Sequence, residues 1–106
     1  MDWFIKYAES VESWLENLTT QQLKSVAKEL RLLELLGNKL KLPHSKALGD
    51  KLFELRERKF GYRLYYTFEH GKILLLLYAG NKSSQKRDIK KAKEILKNYR
   101  SNTDEN

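Results

Sequence analysis

The spacing of the apolar residues changes once along the chain, and this change constrains the fold more than any other feature. Between residues 11 and 36, apolar side chains recur every three or four residues, as in two amphipathic helices. From residue 51 to residue 68 they alternate with polar side chains, as in strands with one buried face. A chain of 106 residues that carries both patterns in separate blocks predicts a single α+β domain.

The other segments complete a predicted order of strand, helix, helix, strand, strand, strand, helix. Aromatic and β-branched residues at 3–7 indicate a first strand, and residues 72–79 indicate a central strand because they are apolar on both faces. Ser84 is placed to begin a last helix. We predict a loop over 38–50, one domain over 1–100 and a frayed tail over 101–106. The fold class is α+β: a small, mostly antiparallel sheet with a helix hairpin packed on one face.

Helix ends and strand faces follow from local patterns. Ser10 is the expected N-cap of the first helix, Thr19 and Gln22 have the spacing of a capping box that opens the second, and Gly37 is placed to end it. In the segment 60–68 the residues expected against the helices are Phe60, Tyr62, Leu64, Tyr66 and Phe68. The opposite face, expected to be open to solvent, carries Arg56, Arg58, Arg63 and Tyr65.

The chain is strongly basic, and the excess charge is confined to one half. Lysine and arginine total 21 against 14 acidic residues, a net charge of +7. Residues 1–50 hold equal numbers of each sign, so the whole excess lies in residues 51–106. This asymmetry favours a polyanionic partner, most simply nucleic acid. A basic, solvated surface with no specific partner remains the alternative.

The sequence lacks the residues that several classes of function require. The absence of cysteine excludes disulfides and thiolate metal sites, and two histidines do not provide a structural zinc site. The longest apolar run, over 73–79, is too short to span a bilayer, and the N-terminal residues lack the features of a signal peptide. The segment 80–83 lacks the triplet of a phosphate loop. We therefore expect a cytoplasmic protein without a metal or cofactor.

The chemistry that remains is a group of cationic residues. Arg56 and Arg63 are expected side by side on adjacent strands if the turn lies near residues 59 and 60, a repulsive arrangement unless an anion compensates it. Guanidinium groups match phosphate oxygens. Three further basic residues lie where the last strand meets the last helix: Lys82, Lys86 and Arg87. Tyr65, on the same face, could stack on a base. Solvated positions on an exposed sheet face are an equally simple interpretation.

These residues fall into an ordered set of motifs over residues 40–97. The motifs are Leu42-Pro43-His44-Ser45-Lys46, Leu48-Gly49-Asp50, Glu54-Leu55-Arg56, Gly61-Tyr62-Arg63, and Lys82 with Gln85-Lys86. In order and spacing the chain resembles the RelE/HigB superfamily of bacterial toxin components, and within it the phage-derived HigB-like branch. No single motif is decisive.

The resemblance implies a ribosome-dependent mRNA endonuclease that cuts the codon in the A site and so inhibits translation. In this chemistry the 2′-hydroxyl attacks the adjacent phosphate without a metal or cofactor. Arg63 matches the arginine that stabilises the phosphate, Arg56 a second arginine, and Lys82 and Lys86 match basic positions that contact phosphate or transfer protons. The resemblance also implies a partner, an antitoxin of the helix-turn-helix, HigA-like kind.

The general base is left open by the same comparison. Some relatives use a histidine, which makes His44 a candidate, but Glu54 stands where some relatives have lysine. Further RNA contacts are expected from Arg58, Tyr65, Lys46, Lys51 and Arg87, of which Lys46 and Lys51 could approach as bases. The alternatives are a non-catalytic basic module that binds RNA or the ribosome, and an adaptor for an acidic protein.

Overall fold

The computed structural model describes the backbone of residues 2–104 and the side chains of residues 2–101. The elements are β1 (Phe4–Tyr7), α1 (Glu9–Glu16), α2 (Thr20–Leu36), a 3₁₀ helix (Gly37–Lys39), β2 (Ser45–Gly49), β3 (Leu52–Glu57), β4 (Tyr62–Glu69), β5 (Ile73–Asn81), a second 3₁₀ helix (Lys82–Ser84) and α3 (Gln85–Asp104). The α+β class and the mostly antiparallel sheet are confirmed. The helix α3 includes residues 101–104, where the sequence predicted a frayed tail, and residues 105 and 106 lie outside the described part.

The five strands form one mixed sheet in the order β1-β5-β4-β3-β2. β1 is parallel to β5, and the other three pairs are antiparallel. The strand β2 occupies part of the segment predicted to be a loop. It pairs with β3 through a tight turn in which Asp50 and Lys51 both have positive φ, 55° and 64°. Its brevity and its largely exposed edge position left little alternation in the sequence to reveal it.

The face covered by α1 and α2 is the one expected from the sequence. There, Leu64, Tyr66 and Leu76 of the sheet pack with Val11 of α1 and with the stripe of α2. Tyr62 and Phe68 pack at the edges of the same cluster. The predicted helix hairpin on one face of the sheet is therefore confirmed.

The opposite face is not open to solvent, which corrects the sequence prediction. α3 lies across it, and Ala92 and Leu96 pack against Leu75, Leu77 and Tyr65 of the sheet. The apolar residues on both faces of β5 are explained by this arrangement, because each face of the strand contacts a helical layer. What remains accessible on this side is the end of the sheet where α3 begins.

The helix ends predicted at Thr19 and at Gly37 are confirmed, and α3 begins directly after Ser84. Thr19 and Gln22 form the capping box of α2, and Gly37 ends that helix with a φ of 50°. The prediction for Ser10 was wrong, since the N-cap is Ala8 and the Ser10 hydroxyl donates to the Leu77 carbonyl at 3.0 Å. Ser10 is thus inside the first turn of α1 and anchors that helix to β5.

Candidate functional site

The centre of the candidate site is a pair of arginines on β3 and β4. Arg56 and Arg63 lie directly opposite each other in the antiparallel register, as the sequence predicted. They are not freely exposed, because their side chains retain 24% and 12% of their accessible surface. The start of α3 lies close to them, since Gln85 contacts Glu54, the carboxylate between the two arginines.

A buried carboxylate, which the sequence analysis did not assign to the site, compensates this pair. Glu54 has no exposed side-chain surface, and its Oε2 accepts from Arg56 Nε at 2.9 Å. Its Oε1 accepts from Gln85 Nε2 at 2.6 Å and lies 3.8 Å from Arg63 Nε. The signal was available, since Glu54 and Arg56 are two residues apart on one strand and share a face.

The beginning of α3 is held against the sheet at a glycine. Gly80 pairs with Arg63, and a Cβ at residue 80 would lie 1.9 Å from Asp88 Oδ2. The buried Asp88 carboxylate accepts from the Ser84 hydroxyl, and the Asn81 side chain accepts from the Ser84 backbone N–H at 3.2 Å. These contacts fix the start of α3 and therefore the position of Gln85 next to Glu54.

Exposed cations surround this end of the sheet. Lys82, Lys86 and Arg87 lie at the start of α3, and Arg58 lies in the β3–β4 turn. The Lys82 N–H donates to the Gly61 carbonyl at 2.8 Å, which places Lys82 beside that turn. The N-terminal end of α3 adds the positive end of a helix dipole.

The β3–β4 turn itself is ordered by a second buried carboxylate. Glu57 accepts from the backbone N–H groups of Lys59 and Phe60 at 2.9 and 3.0 Å, and from the Ser25 hydroxyl of α2 at 2.5 Å. A rigid turn fixes the register that places Arg56 opposite Arg63.

The side chains of two candidate residues lie apart from the arginine pair, although the His44 carbonyl accepts from the Arg56 N–H at 2.8 Å. The His44 Nδ1 lies 3.1 Å from Glu29 Oε2, and Glu29 belongs to α2, on the opposite face of the sheet. Lys51 lies in the β2–β3 turn, five residues before Arg56 and therefore about 16 Å away along the strand. Lys46 is closer, because it is exposed on the edge strand directly opposite Glu54.

Tyr65 was expected to stack on a base, and the structure corrects this. Its ring is completely buried beneath α3, so a base has no access to it. Its hydroxyl has no hydrogen-bond partner among the described residues. Burial raises the pKa of Tyr65, and the nearby carboxylates of Glu54 and Asp88 raise it further. The hydroxyl is therefore neutral and belongs to the core beneath the site.

The structure also bears on metal binding and on membrane insertion. Among the residues that the structure describes, no group of three or more His, Cys, Asp or Glu side chains is arranged to hold a metal ion. Within the same part of the chain, no helix combines the length and the apolar character needed to cross a membrane.

The arrangement of strands and helices is that of the RelE toxins. A mutant of the E. coli toxin RelE in the free state superposes with a TM-score of 0.64 at 19% identity, covering 86% of this chain and 98% of that one. The intact E. coli RelBE toxin–antitoxin complex gives 0.61 at 20% identity, covering 74% and 95%. The RelBE2 complex of Mycobacterium tuberculosis gives 0.59 at 17% identity, covering 77% and 100%. At these identities the likeness establishes the fold.

Sequence comparison identifies the family. Residues 13–100 match the family described as phage derived protein Gp49-like (DUF891). An uncharacterized protein of Haemophilus influenzae is 35% identical over 91 residues, which is 84% of this chain and 88% of that relative. The chain belongs to the phage-derived Gp49-like family and has the RelE toxin fold. The relationship predicted from the motifs is confirmed in two respects: the chain belongs to a phage-derived family, and its fold is that of the RelE toxins.

Proposed function

We propose that this protein is the toxin of a type II toxin–antitoxin system and cleaves mRNA in the ribosomal A site. The observation that carries the proposal is the Arg56–Arg63 pair, directly opposed across β3 and β4 and surrounded by exposed cations. On a RelE toxin fold, such a pair is suited to hold one phosphodiester of an RNA strand.

The proposed reaction is an in-line displacement at that phosphate. The 2′-oxygen forms a bond to phosphorus, the bond to the 5′-oxygen of the next nucleotide breaks, and the products are a 2′,3′-cyclic phosphate and a 5′-hydroxyl. A base must remove the 2′-hydroxyl proton, and an acid must supply one to the leaving oxygen. Arg63 and Arg56 would stabilise the negative charge that develops on the phosphorane.

Proton transfer is assigned to Lys82 and Lys86, which are exposed at the same end of the sheet. His44 is a weaker candidate than the sequence indicated, because its imidazole contacts Glu29 on the other side of the sheet. Arg58, Arg87 and Lys46 surround the site and would attract the RNA backbone. Attraction of this kind depends on salt, because binding releases the counterions of the RNA.

A cognate antitoxin is the proposed protein partner. Solved relatives of the same fold are complexes of RelE with RelB, from E. coli and from Pyrococcus horikoshii. Because the motifs of this chain resemble those of phage-derived HigB-like toxins, we propose that its antitoxin is a helix-turn-helix, HigA-like protein. Co-expression of the neighbouring reading frame, followed by a pull-down, tests the pairing.

Primer extension on an mRNA in a purified translation reaction tests the activity. We expect new 5′ ends in the reading frame, and none when ribosomes are omitted. Arg63→Ala should reduce the cleavage rate by about 100- to 1,000-fold, because it removes donors from the developing charge. Arg31→Ala is the matched control, since Arg31 is an exposed arginine on α2 that pairs with Asp2 and Glu34. An Arg63→Ala protein that is folded and cleaves like wild type would contradict the assignment.

One observation favours a second function, that of a non-catalytic RNA- or ribosome-binding module. Glu54 neutralises part of the arginine pair, and His44 contacts a carboxylate on α2 rather than the pair. A binding module would give salt-dependent association with ribosomes or RNA and no new 5′ ends. The same primer-extension experiment, combined with ribosome co-sedimentation at several salt concentrations, separates the two functions.

A further inference from the structure

Glu54 stands at the centre of the candidate site, and both of its oxygens are engaged. Oε2 accepts from Arg56 Nε at 2.9 Å, and Oε1 accepts from Gln85 Nε2 at 2.6 Å. Oε1 also lies 3.8 Å from Arg63 Nε. With its side chain fully buried, this carboxylate has protein partners on each oxygen and no exposed surface.

The geometry distinguishes the two edges of each guanidinium group. Arg56 Nε donates to Glu54, whereas Arg63 Nε is fully buried 3.8 Å from Glu54 Oε1 and has no hydrogen-bond partner among the described residues. Within the described residues, the Nη atoms of Arg56 have no hydrogen-bond partner. Those of Arg63 have one long contact, from Nη1 to the Tyr62 carbonyl at 3.5 Å. The Nη groups, which form the fork that binds phosphate oxygens, are therefore available on both side chains.

The same carboxylate explains why two arginines can face each other across the sheet. Like charges directly opposite on neighbouring strands are destabilising. A buried carboxylate between them offsets the repulsion, and its own burial is tolerable because it is paired and hydrogen-bonded. Gln85 completes this arrangement from α3.

We propose that Glu54 is a positioning residue: its hydrogen bond to Arg56 Nε and its charge beside Arg63 Nε place both guanidinium groups so that their Nη groups meet one RNA phosphate. This role rests on the proposed function. It also excludes Glu54 as the group that takes the 2′-hydroxyl proton, since its oxygens are enclosed and already occupied by donors.

The first test concerns the free protein and needs no activity. Nitrogen-15 NMR of the arginine side chains should show the Arg56 Nε–H protected from exchange with water. In Glu54→Gln the exchange should become at least about tenfold faster, because a neutral amide replaces the charged acceptor. Glu69→Gln is the matched control, because Glu69 is a partly buried carboxylate at the far end of β4. Unchanged protection in Glu54→Gln would overturn the proposal.

The second test measures coupling between Glu54 and the two arginines. Single-turnover cleavage on programmed ribosomes should fall by about 10- to 100-fold in Glu54→Gln, with the shape of the pH–rate profile unchanged. In a background that combines Arg56→Ala with Arg63→Ala the same substitution should cost little more, because its effect acts through those two side chains. Additive losses, loss of a limb of the pH profile, or wild-type cleavage by Glu54→Gln would each overturn a positioning role. If Glu54→Gln does not fold, Gln85→Ala should produce a smaller loss with the same coupling, and an uncoupled loss would overturn the proposal.

Failure of the proposed function would be recognised separately. If the wild-type protein produces no new 5′ ends, binding of an uncleavable 2′-deoxy-substituted oligonucleotide replaces the cleavage assay. Weaker binding by Glu54→Gln, about tenfold and again absent in the background that combines Arg56→Ala with Arg63→Ala, would support the positioning of a phosphate-binding pair. Equal binding by both proteins would overturn it.

Discussion

Replacing Gly80 by alanine should separate α3 from the arginine pair, and the structure sets the size of the effect. A Cβ at residue 80 would lie 1.9 Å from Asp88 Oδ2, so a normal contact of about 3.4 Å requires a movement of about 1.5 Å. If Asp88 moves alone, it loses the Ser84 hydroxyl and leaves a buried carboxylate poorly paired. If the helix moves instead, Gln85 is displaced from Glu54. Either change should cost about 2 kcal/mol of unfolding free energy.

The assays are thermal unfolding by circular dichroism and cleavage on programmed ribosomes. A loss of about 2 kcal/mol corresponds to a decrease in Tm of roughly 10 °C for a domain of this size. A shift of the helix should also reduce the cleavage rate by about 100-fold, since a displacement near 1 Å is sufficient for that. Asp88→Ala removes the obstacle, so Gly80→Ala should cost almost nothing in that background. Equal costs of Gly80→Ala with and without Asp88 would refute the reasoning.

Three further predictions concern stability. Tyr65→Phe should raise the unfolding free energy by about 1 kcal/mol in chemical denaturation, because it removes a buried hydroxyl that has no partner among the described residues; a destabilised variant would show that the hydroxyl is hydrogen-bonded. Burial raises the pKa of Tyr65 and Tyr66 in the folded protein. Their contribution to the free energy of unfolding is therefore complete below the ordinary tyrosine pKa of about 10, and it is lost as the pH rises toward the pKa values of the folded protein. Stability should therefore decrease above pH 10, by up to about 1.4 kcal/mol per pH unit for each such tyrosine, and less steeply in Tyr65→Phe; equal slopes would contradict this. Gly37→Ala should cost about 3 kcal/mol or more, since residue 37 has a φ of 50° and its Cβ would lie 2.0 Å from the Trp3 indole. A decrease in Tm of only a few degrees would show that the Trp3 ring can move aside.

Local sequence signals were sufficient where one interaction determined the structure. The capping box of Thr19 and Gln22 requires only a hydroxyl and an amide three residues apart, and it is present. Likewise, the turn near residues 59 and 60 was enough to place Arg56 opposite Arg63, because antiparallel register follows from the position of the turn.

The sequence could not determine which faces of the sheet are covered. Alternation groups residues by face, but it does not identify the helix that packs there. Tyr65 was therefore assigned to solvent, although α3 buries it. The relevant signal lay elsewhere, in β5: Leu74 and Leu76 contact one helical layer and Leu75 and Leu77 the other, so a strand that is apolar on both faces indicates two covered faces.

The buried and the exposed cationic residues at this end of the sheet have different roles. Arg56 and Arg63 lie against one buried carboxylate, which compensates half of their combined charge, and their contribution is geometric: Nη groups at fixed positions on a rigid sheet. Arg58, Arg87 and Lys46 are exposed around the site, so their contribution is long-range attraction, which salt screens. It follows that substitution of these three residues should change mainly the salt dependence of RNA association. Substitution of the buried pair should change mainly the rate of the chemical step, at any salt concentration.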